Sequence, residues 1–168
     1  MPVNSSISHP VTLIPQPTQT TCWAASTAML IGSTVQNVIN QTPKALVASD
    51  GGLKNYSDQD DWLSGTRDFA QAHRLQYGPP RTWTTEALHA QLSSGPIMID
   101  MLWNAQNYIS QAGSPGHMVL ITGMSADNNG VTLTYNDPWP PNRGAVTTVN
   151  YATWLRQVPT RTYRTFWK

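Results

Sequence analysis

The sequence predicts an α+β fold in which an N-terminal helical part packs on an antiparallel β-sheet. Up to residue 92, apolar residues recur mostly at helical spacing between Gly and Pro breaks. From residue 93 onward, short apolar or alternating runs separated by turn residues indicate strands. A chain of 168 residues can bury one compact core, so we expect a single domain over residues 1–168.

The helical part follows a polar segment in which residues 11–14 are predicted to form a short edge strand. An Ala-rich run predicts a helix that begins at Cys22 and is interrupted at Gly32. Thr84 is predicted to cap the last helix of this part. The later helices are predicted over residues 35–39, from residue 43 with Pro43 in the first turn, over 60–73 and over 85–92.

The second half of the chain is predicted to form the sheet. Residues 96–102 are almost all apolar, as in a strand that is buried on both faces. The Asn129-Gly130 turn lies between two strand patterns and predicts a hairpin. The other strands are predicted over residues 117–123, 131–135, 145–149 and 161–166, with a loop over 103–116 and a short helical turn over 151–158.

Charge and cysteine content argue against several classes of function. Ten basic and nine acidic residues give a net charge of +1, so neither nucleic acid nor an anionic membrane is expected as a partner. The N-terminus lacks the charged and apolar segments of a cleavable signal peptide. A single cysteine allows no intramolecular disulfide, which suits a reducing compartment. No ligand spacing predicts a metal or a cofactor, and we expect a monomer.

Cys22 is the candidate nucleophile. It lies at the predicted N-terminus of a helix, where free backbone N–H groups and the helix dipole favour the thiolate, which is the nucleophilic form of the side chain. The alternative is a buried structural cysteine, because an isolated free cysteine usually behaves as a small apolar residue.

His117 is the candidate base, and the group that orients it is expected at the end of the next strand. His117 follows Gly116 at the start of an apolar strand, so its ring can reach the sheet edge and face Cys22; the alternative is a structural core histidine. Strand alternation places Asp137 on the apolar face of its strand and Asn136 on the other face. This favours Asp137, although a bulge would exchange the two, and an aspartate before proline is also a common turn residue.

Three motifs together resemble the papain-like cysteine peptidases. They are Gln-x5-Cys-Trp over residues 16–23, Gly-His-Met-Val-Leu-Ile-Thr-Gly over 116–123, and Asn-Asp-Pro-Trp over 136–139. The short chain and the Asp-Pro pair are similar to the bacterial branch, which includes bacteriocin-leader peptidases and effector proteases that bacteria inject. The 95 residues between Cys22 and His117 (117 − 22 = 95) are fewer than in cathepsin-type enzymes.

The resemblance implies a papain-like fold, with the Cys22 helix packed on the sheet that carries His117 and Asp137. It also implies a thiol protease in which the Gln16 side chain and the Cys22 N–H stabilise the developing oxyanion. Gln19 is the alternative oxyanion residue, since it lies only three positions further along the chain.

Trp23, Trp139 and Gly116 are predicted to contact the substrate. The leader-processing peptidases that the chain resembles cut after paired small residues, typically Gly-Gly. Two bulky rings next to the catalytic residues would narrow the cleft and favour such substrates. The alternative is that both rings pack in the core and leave the cleft open.

The expected function is cleavage of a protein substrate by a bacterial effector or toxin. The resemblance and the N-terminal sequence predict secretion without a cleavable signal peptide and action in the cytosol of a target cell. A toxin of this kind would require a cognate immunity or inhibitor protein. The alternatives are a deamidase, transglutaminase or peptidoglycan amidase that uses the same residues, and a non-enzymatic binding module on the same fold.

Overall fold

A computed structural model describes residues 5–54, 59–79, 82–102, 116–157 and 164–168. Five α-helices occur in these residues, and none is both long enough and apolar enough to cross a membrane. The helices are α1 (Cys22–Ile31), α2 (Val35–Gln41), α3 (Gln59–Ala72), α4 (Thr85–Leu92) and α5 (Tyr151–Gln157).

The described strands form one antiparallel sheet of seven strands. They are β1 (Ser5–Ser8), β2 (Gln76–Gly78), β3 (Ile97–Leu102), β4 (Gly116–Asp127), β5 (Gly130–Asp137), β6 (Ala145–Asn150) and β7 (Arg164–Trp167). Their order is β2-β7-β3-β4-β5-β6, and β1 pairs with the distal half of β4, beyond the part that pairs with β3. The α+β prediction is therefore confirmed.

Several predicted elements differ from the structure. Residues 11–14 are not a strand; the strand of this segment is β1, whose polar sequence gives no apolar signal. The helix predicted from Pro43 is only a 3-10 turn, Lys44–Leu46, and β2 was not predicted. Gly116, predicted as the last residue of the loop over 103–116, is the first residue of β4. The rest of that loop, residue 158 and residues 161–163 lie outside the described residues.

The sheet separates two apolar clusters, and alternation along β4 assigns its side chains to one or the other. Met118 and Leu120 pack with residues of α1, whereas Val119 and Ile121 pack with residues of α4 and α5. Because both faces are covered, most of β4 is buried, which explains its nearly continuous apolar sequence.

Two side-chain hydrogen bonds fix α1 on the sheet. Ser26 Oγ donates to the carbonyl oxygen of Met118 at 2.8 Å, and Thr27 Oγ1 donates to Met98 Sδ at 3.5 Å. Ser26 lies four residues after Cys22, so the two side chains share one face of the helix. The bond to Met118 therefore holds the N-terminal turn of α1 close to the start of β4.

A bulge in β4 and a glycine make room for β1. The pairing of β4 with β5 shifts register between Ile121 and Gly123, and His9 donates its N–H to the carbonyl of the intervening Thr122 at 2.8 Å. A Cβ atom on Gly123 would lie 2.9 Å from the carbonyl oxygen of Ile7. Only glycine therefore allows β1 to approach β4 this closely.

We expect Ser26→Ala to lower the free energy of unfolding by about 1–3 kcal/mol, because it removes a buried hydrogen bond. Ser93→Ala is the matched control, since Ser93 Oγ donates to the His89 carbonyl at 2.8 Å on an exposed surface, and we expect it to change stability by less than about 0.5 kcal/mol. Urea unfolding of both variants measures the difference, and equal losses would contradict the assigned role of Ser26.

Candidate active site

The Cys22 side chain lies at the N-terminus of α1, as the sequence predicts. Ala24 and Ala25 both donate their N–H groups to the carbonyl of Thr21 at 3.1 Å. The N–H of Cys22 therefore precedes the first hydrogen bonds of the helix and is available to an acceptor above the thiol. Cys22 is 8% exposed, so little of its side chain is accessible to solvent.

His117 and Asp137 are joined by a short hydrogen bond. His117 Nε2 lies 2.7 Å from Asp137 Oδ1, and their side chains are 6% and 14% exposed. The register pairs Leu120 with Asn136, so Asp137 lies one step further along and shares a sheet face with His117. His117 also forms a hydrogen bond to Cys22, which places the imidazole between the thiol and the carboxylate.

The surroundings of His117 favour the imidazolium. Burial of the ring lowers the pKa of His117, but hydrogen bonds and charge interactions with Asp137 and Cys22 outweigh burial and raise the pKa from 6.5 to about 9. An imidazole that is protonated at neutral pH can stabilise a thiolate and can later donate its proton to a leaving group.

Asn136, the alternative orienting residue, lies elsewhere. It is 1% exposed, and its Nδ2 donates to the carbonyl of Val11 at 3.1 Å and to Met29 Sδ at 3.6 Å. Asp137 also accepts a hydrogen bond from the Trp139 N–H at 2.9 Å, which fixes its carboxylate. The pairing of β5 with β6 is regular through Asn136 and Asp137, so no bulge before Pro138 exchanges the two residues, and Asp137 is the one that contacts His117.

Gln16 is fully buried, whereas the alternative Gln19 is exposed. The Gln16 side-chain Nε2 donates to the carbonyl of Thr18 at 2.6 Å. Its backbone N–H donates to Pro138 at 3.0 Å and its carbonyl accepts from Asn142 at 2.8 Å, so Gln16 is tied to the loop after Asp137. Since the Thr18 carbonyl can only accept, the amide NH₂ faces it and keeps a second hydrogen for another acceptor.

The three predicted substrate-contacting residues lie in different surroundings. Trp23 is 2% exposed, donates its indole N–H to the Gly51 carbonyl at 3.0 Å and packs edge-on against Phe69, so its ring belongs to the core. Trp139 is half-buried directly after the Asp137–Pro138 pair. Gly116 is the first residue of β4 and lines a small pocket next to Cys22.

Sequence reasoning missed a buried ion pair in that pocket. Arg164 Nε lies 2.6 Å from Asp100 Oδ2, and the two side chains are 4% and 6% exposed. A signal was present, because Asp100 interrupts an otherwise apolar strand and a buried carboxylate needs a partner. The sequence does not identify this partner, because Arg164 is 64 residues away. The two residues become neighbours where β3 pairs with β7.

A thiol, an imidazole and a carboxylate in hydrogen-bonded succession define a cysteine hydrolase of the papain-like class. Within the described ranges, no three His, Cys, Asp or Glu side chains come together as metal ligands would. The sequence profile of the family described as papain-like cysteine protease AvrRpt2 matches residues 5–156. The chain therefore belongs to this family of bacterial cysteine peptidases.

Solved structures agree with this fold. A C39-like peptidase from Bacillus anthracis is similar to the chain with a TM-score of 0.56 and 12% sequence identity, over 98% of both chains. A structure from a study of the mite allergens Blo t 1 and Der p 1 has a TM-score of 0.52 and 14% identity, over 93% of this chain and 66% of the other. No curated protein matches the sequence closely enough to count as a relative.

We expect Asp137→Ala to reduce activity more than Asn136→Ala, because only Asp137 contacts the imidazole. Loss of the carboxylate should also lower the His117 pKa from about 9, so the imidazolium, and activity with it, would be lost at a lower pH. NMR titration of the histidine rings and the alkaline limb of the pH–rate profile measure this effect. An unchanged alkaline limb in Asp137→Ala would contradict the assignment.

Proposed function

We propose that the chain is a thiol protease that uses Cys22 as nucleophile, His117 as acid and base, Asp137 to orient His117, and Gln16 in the oxyanion site. The observation that carries this proposal is the position of the His117 ring, which hydrogen-bonds both Cys22 and Asp137. Asp137 holds Nε2, which leaves Nδ1 for the thiol and fixes the tautomer that a base needs.

The proposed reaction begins from a thiolate–imidazolium pair, in which His117 already holds the thiol proton, and the thiolate sulfur attacks the substrate carbonyl carbon. The carbonyl electrons move onto oxygen, which the Cys22 N–H and the Gln16 amide stabilise. His117 then donates its proton to the leaving amine as the C–N bond breaks, leaving an acyl-enzyme. Finally His117 takes a proton from water and the hydroxide attacks the thioester carbon. The C–S bond then breaks, which releases the acid product and regenerates the thiolate beside protonated His117.

We further propose that the protease is an effector or toxin that acts in the cytosol of a target cell after export from the producing cell. The resemblance to injected bacterial proteases supports this role, and so does the single unpaired cysteine, because a reducing cytosol keeps such a thiol active. The natural partners would be a protein substrate and, for a toxin, an inhibitory protein in the producing cell.

The proposed cleavage site follows small residues, such as Gly-Gly. The burial of Cys22 supports this preference. A thiol that is 8% exposed requires the substrate backbone to come close to the N-terminus of α1 before the carbonyl carbon can reach the sulfur. Glycine permits that approach, since it lacks a Cβ atom and adopts backbone conformations closed to other residues.

We expect Cys22→Ala and His117→Ala each to abolish turnover, and the double variant to lose no more than either single variant, since the two residues act as one unit.

The experiment that tests the type of reaction compares the proteomes of cells that express the wild-type chain and the Cys22→Ala chain. New protein N-termini that depend on Cys22 indicate proteolysis. Release of ammonia without new N-termini would instead indicate a deamidase or transglutaminase.

We expect Gln16→Ala to lower kcat by about 10²–10³-fold with little change in KM, as for loss of one oxyanion donor. Gln19→Ala is the matched control, because Gln19 is an exposed glutamine three residues away, and it should retain normal turnover. Single-turnover kinetics with a cleaved peptide measure the acylation step. A larger loss in Gln19→Ala would reverse the assignment of the two glutamines.

A further inference from the structure

The helix that carries the nucleophile differs from other helices of the structure in how its N-terminus is capped. In α2, α4 and α5 the residue before the first turn accepts, on its side-chain oxygen, the backbone N–H three positions later, at 3.2 Å in each case; these residues are Thr34, Thr84 and Asn150. Thr21 precedes α1, but within the described ranges no side chain caps this helix. The N–H three positions later, that of Ala24, donates instead to the Thr21 carbonyl.

The Thr21 hydroxyl is engaged on the other side, in a turn with Thr18. It accepts the Thr18 N–H at 3.1 Å, lies 3.0 Å from Thr18 Oγ1 and donates to the Thr18 carbonyl at 3.4 Å. A hydroxyl has one hydrogen and two lone pairs, so these three contacts use its full hydrogen-bonding capacity. Thr21 is 6% exposed, whereas Thr18 lies at the surface. A buried hydroxyl therefore holds the backbone of an exposed residue in place.

The Thr18 carbonyl in turn holds the Gln16 amide. Gln16 is fully buried, and its Nε2 donates to this carbonyl at 2.6 Å. The other end of the amide, Oε1, is also buried and has no hydrogen-bond partner among the described residues. A rotation that exchanged Nε2 and Oε1 would bring two acceptor oxygens together at the Thr18 carbonyl. The position of this carbonyl therefore decides where the amide hydrogens of Gln16 point.

We propose that Thr21 is a positioning residue for the oxyanion site: its hydroxyl holds the Thr18 carbonyl, and that carbonyl orients the Gln16 amide. This inference rests on the proposed protease activity and on the role of Gln16 in it. The same arrangement keeps the Thr21 hydroxyl off the N-terminus of α1. A side-chain oxygen bound there would weaken the positive end of the helix dipole, which helps to stabilise an oxyanion.

The first test is kinetic and uses a peptide from a protein whose new N-terminus depends on Cys22. Thr21→Val removes the hydroxyl and keeps the branched side chain. We expect it to lower kcat by about tenfold with little change in KM, less than the loss of the donor itself, because the donor remains but is misdirected. Thr21→Ser keeps the hydroxyl and should retain most of the wild-type turnover. Thr21→Val added to Gln16→Ala should cause no further loss, since Thr21 acts through Gln16.

Thr84→Val is the matched control. It removes the hydroxyl of a threonine at the same helix position, but Thr84 caps α4, which packs on the opposite face of the sheet from α1. We expect a lower melting temperature and an unchanged kcat. Three results would each overturn the proposal and leave the protease activity standing: a wild-type kcat in Thr21→Val, an equal loss of kcat in Thr84→Val, or additive losses in the double variant with Gln16→Ala.

The second test does not depend on turnover. NMR detects the side-chain amide hydrogens of Gln16, which are assigned by their absence in Gln16→Ala. Because the amide is buried and bound to the Thr18 carbonyl, we expect slow exchange with solvent in the wild type and in Thr21→Ser, and faster exchange in Thr21→Val. Unchanged exchange in Thr21→Val overturns the proposal. Faster exchange in a chain that cleaves no peptide would support the positioning of Gln16 and overturn the proposed protease activity instead.

Discussion

The packing of α1 on β4 is the contact on which the site depends, because Cys22 and His117 lie on separate elements. Backbone hydrogen bonds order each element but do not set the distance between them. The Ser26 hydrogen bond to the Met118 carbonyl supplies that restraint, since it joins the helix one turn after Cys22 to the residue that follows His117. The backbone hydrogen bonds of Gln16 with Pro138 and Asn142 hold the segment before α1 against the loop that follows Asp137.

Burial lowers the pKa of His117 and the interactions of its ring with Asp137 and Cys22 raise it, and the second effect is larger. Burial alone would favour a neutral ring, but Asp137 and Cys22 raise the His117 pKa to about 9. Since this value lies above the ordinary 6.5, protonated His117 contributes to folding stability fully below pH 6.5, and the contribution is lost as pH rises through about 9. The group that the proposed chemistry needs in its charged form thus also stabilises the fold at neutral pH.

Local signals predicted much of this structure, and long-range contacts account for what they missed. Residues of α1 and α4 and the turn before β5 carry helix, capping and hairpin signals, and the structure follows them. The polar strand β1 exists because Gly123 lets it approach β4, which no local pattern shows. The three apolar residues of the segment 11–14 pack on the core without forming a strand. Asp100 likewise depends on a partner on a distant strand.

The three residues of the site belong to opposite faces of the sheet and meet at the ends of β4 and β5. Because side chains alternate along β4 and β5, His117 and Asp137 lie on the sheet face that packs with α4 and α5. Cys22 belongs to the cluster on the other face, which packs with α1. In the middle of a sheet, groups on opposite faces could not meet. His117 is the second residue of β4 and Asp137 is the last of β5, so both lie where the sheet stops, and Gly116 adds no side chain between them and the helix. A nucleophile on one face and a base on the other can therefore touch only at this edge, which explains why strand parity places Asp137 beside His117 while His117 still reaches Cys22 on the α1 side.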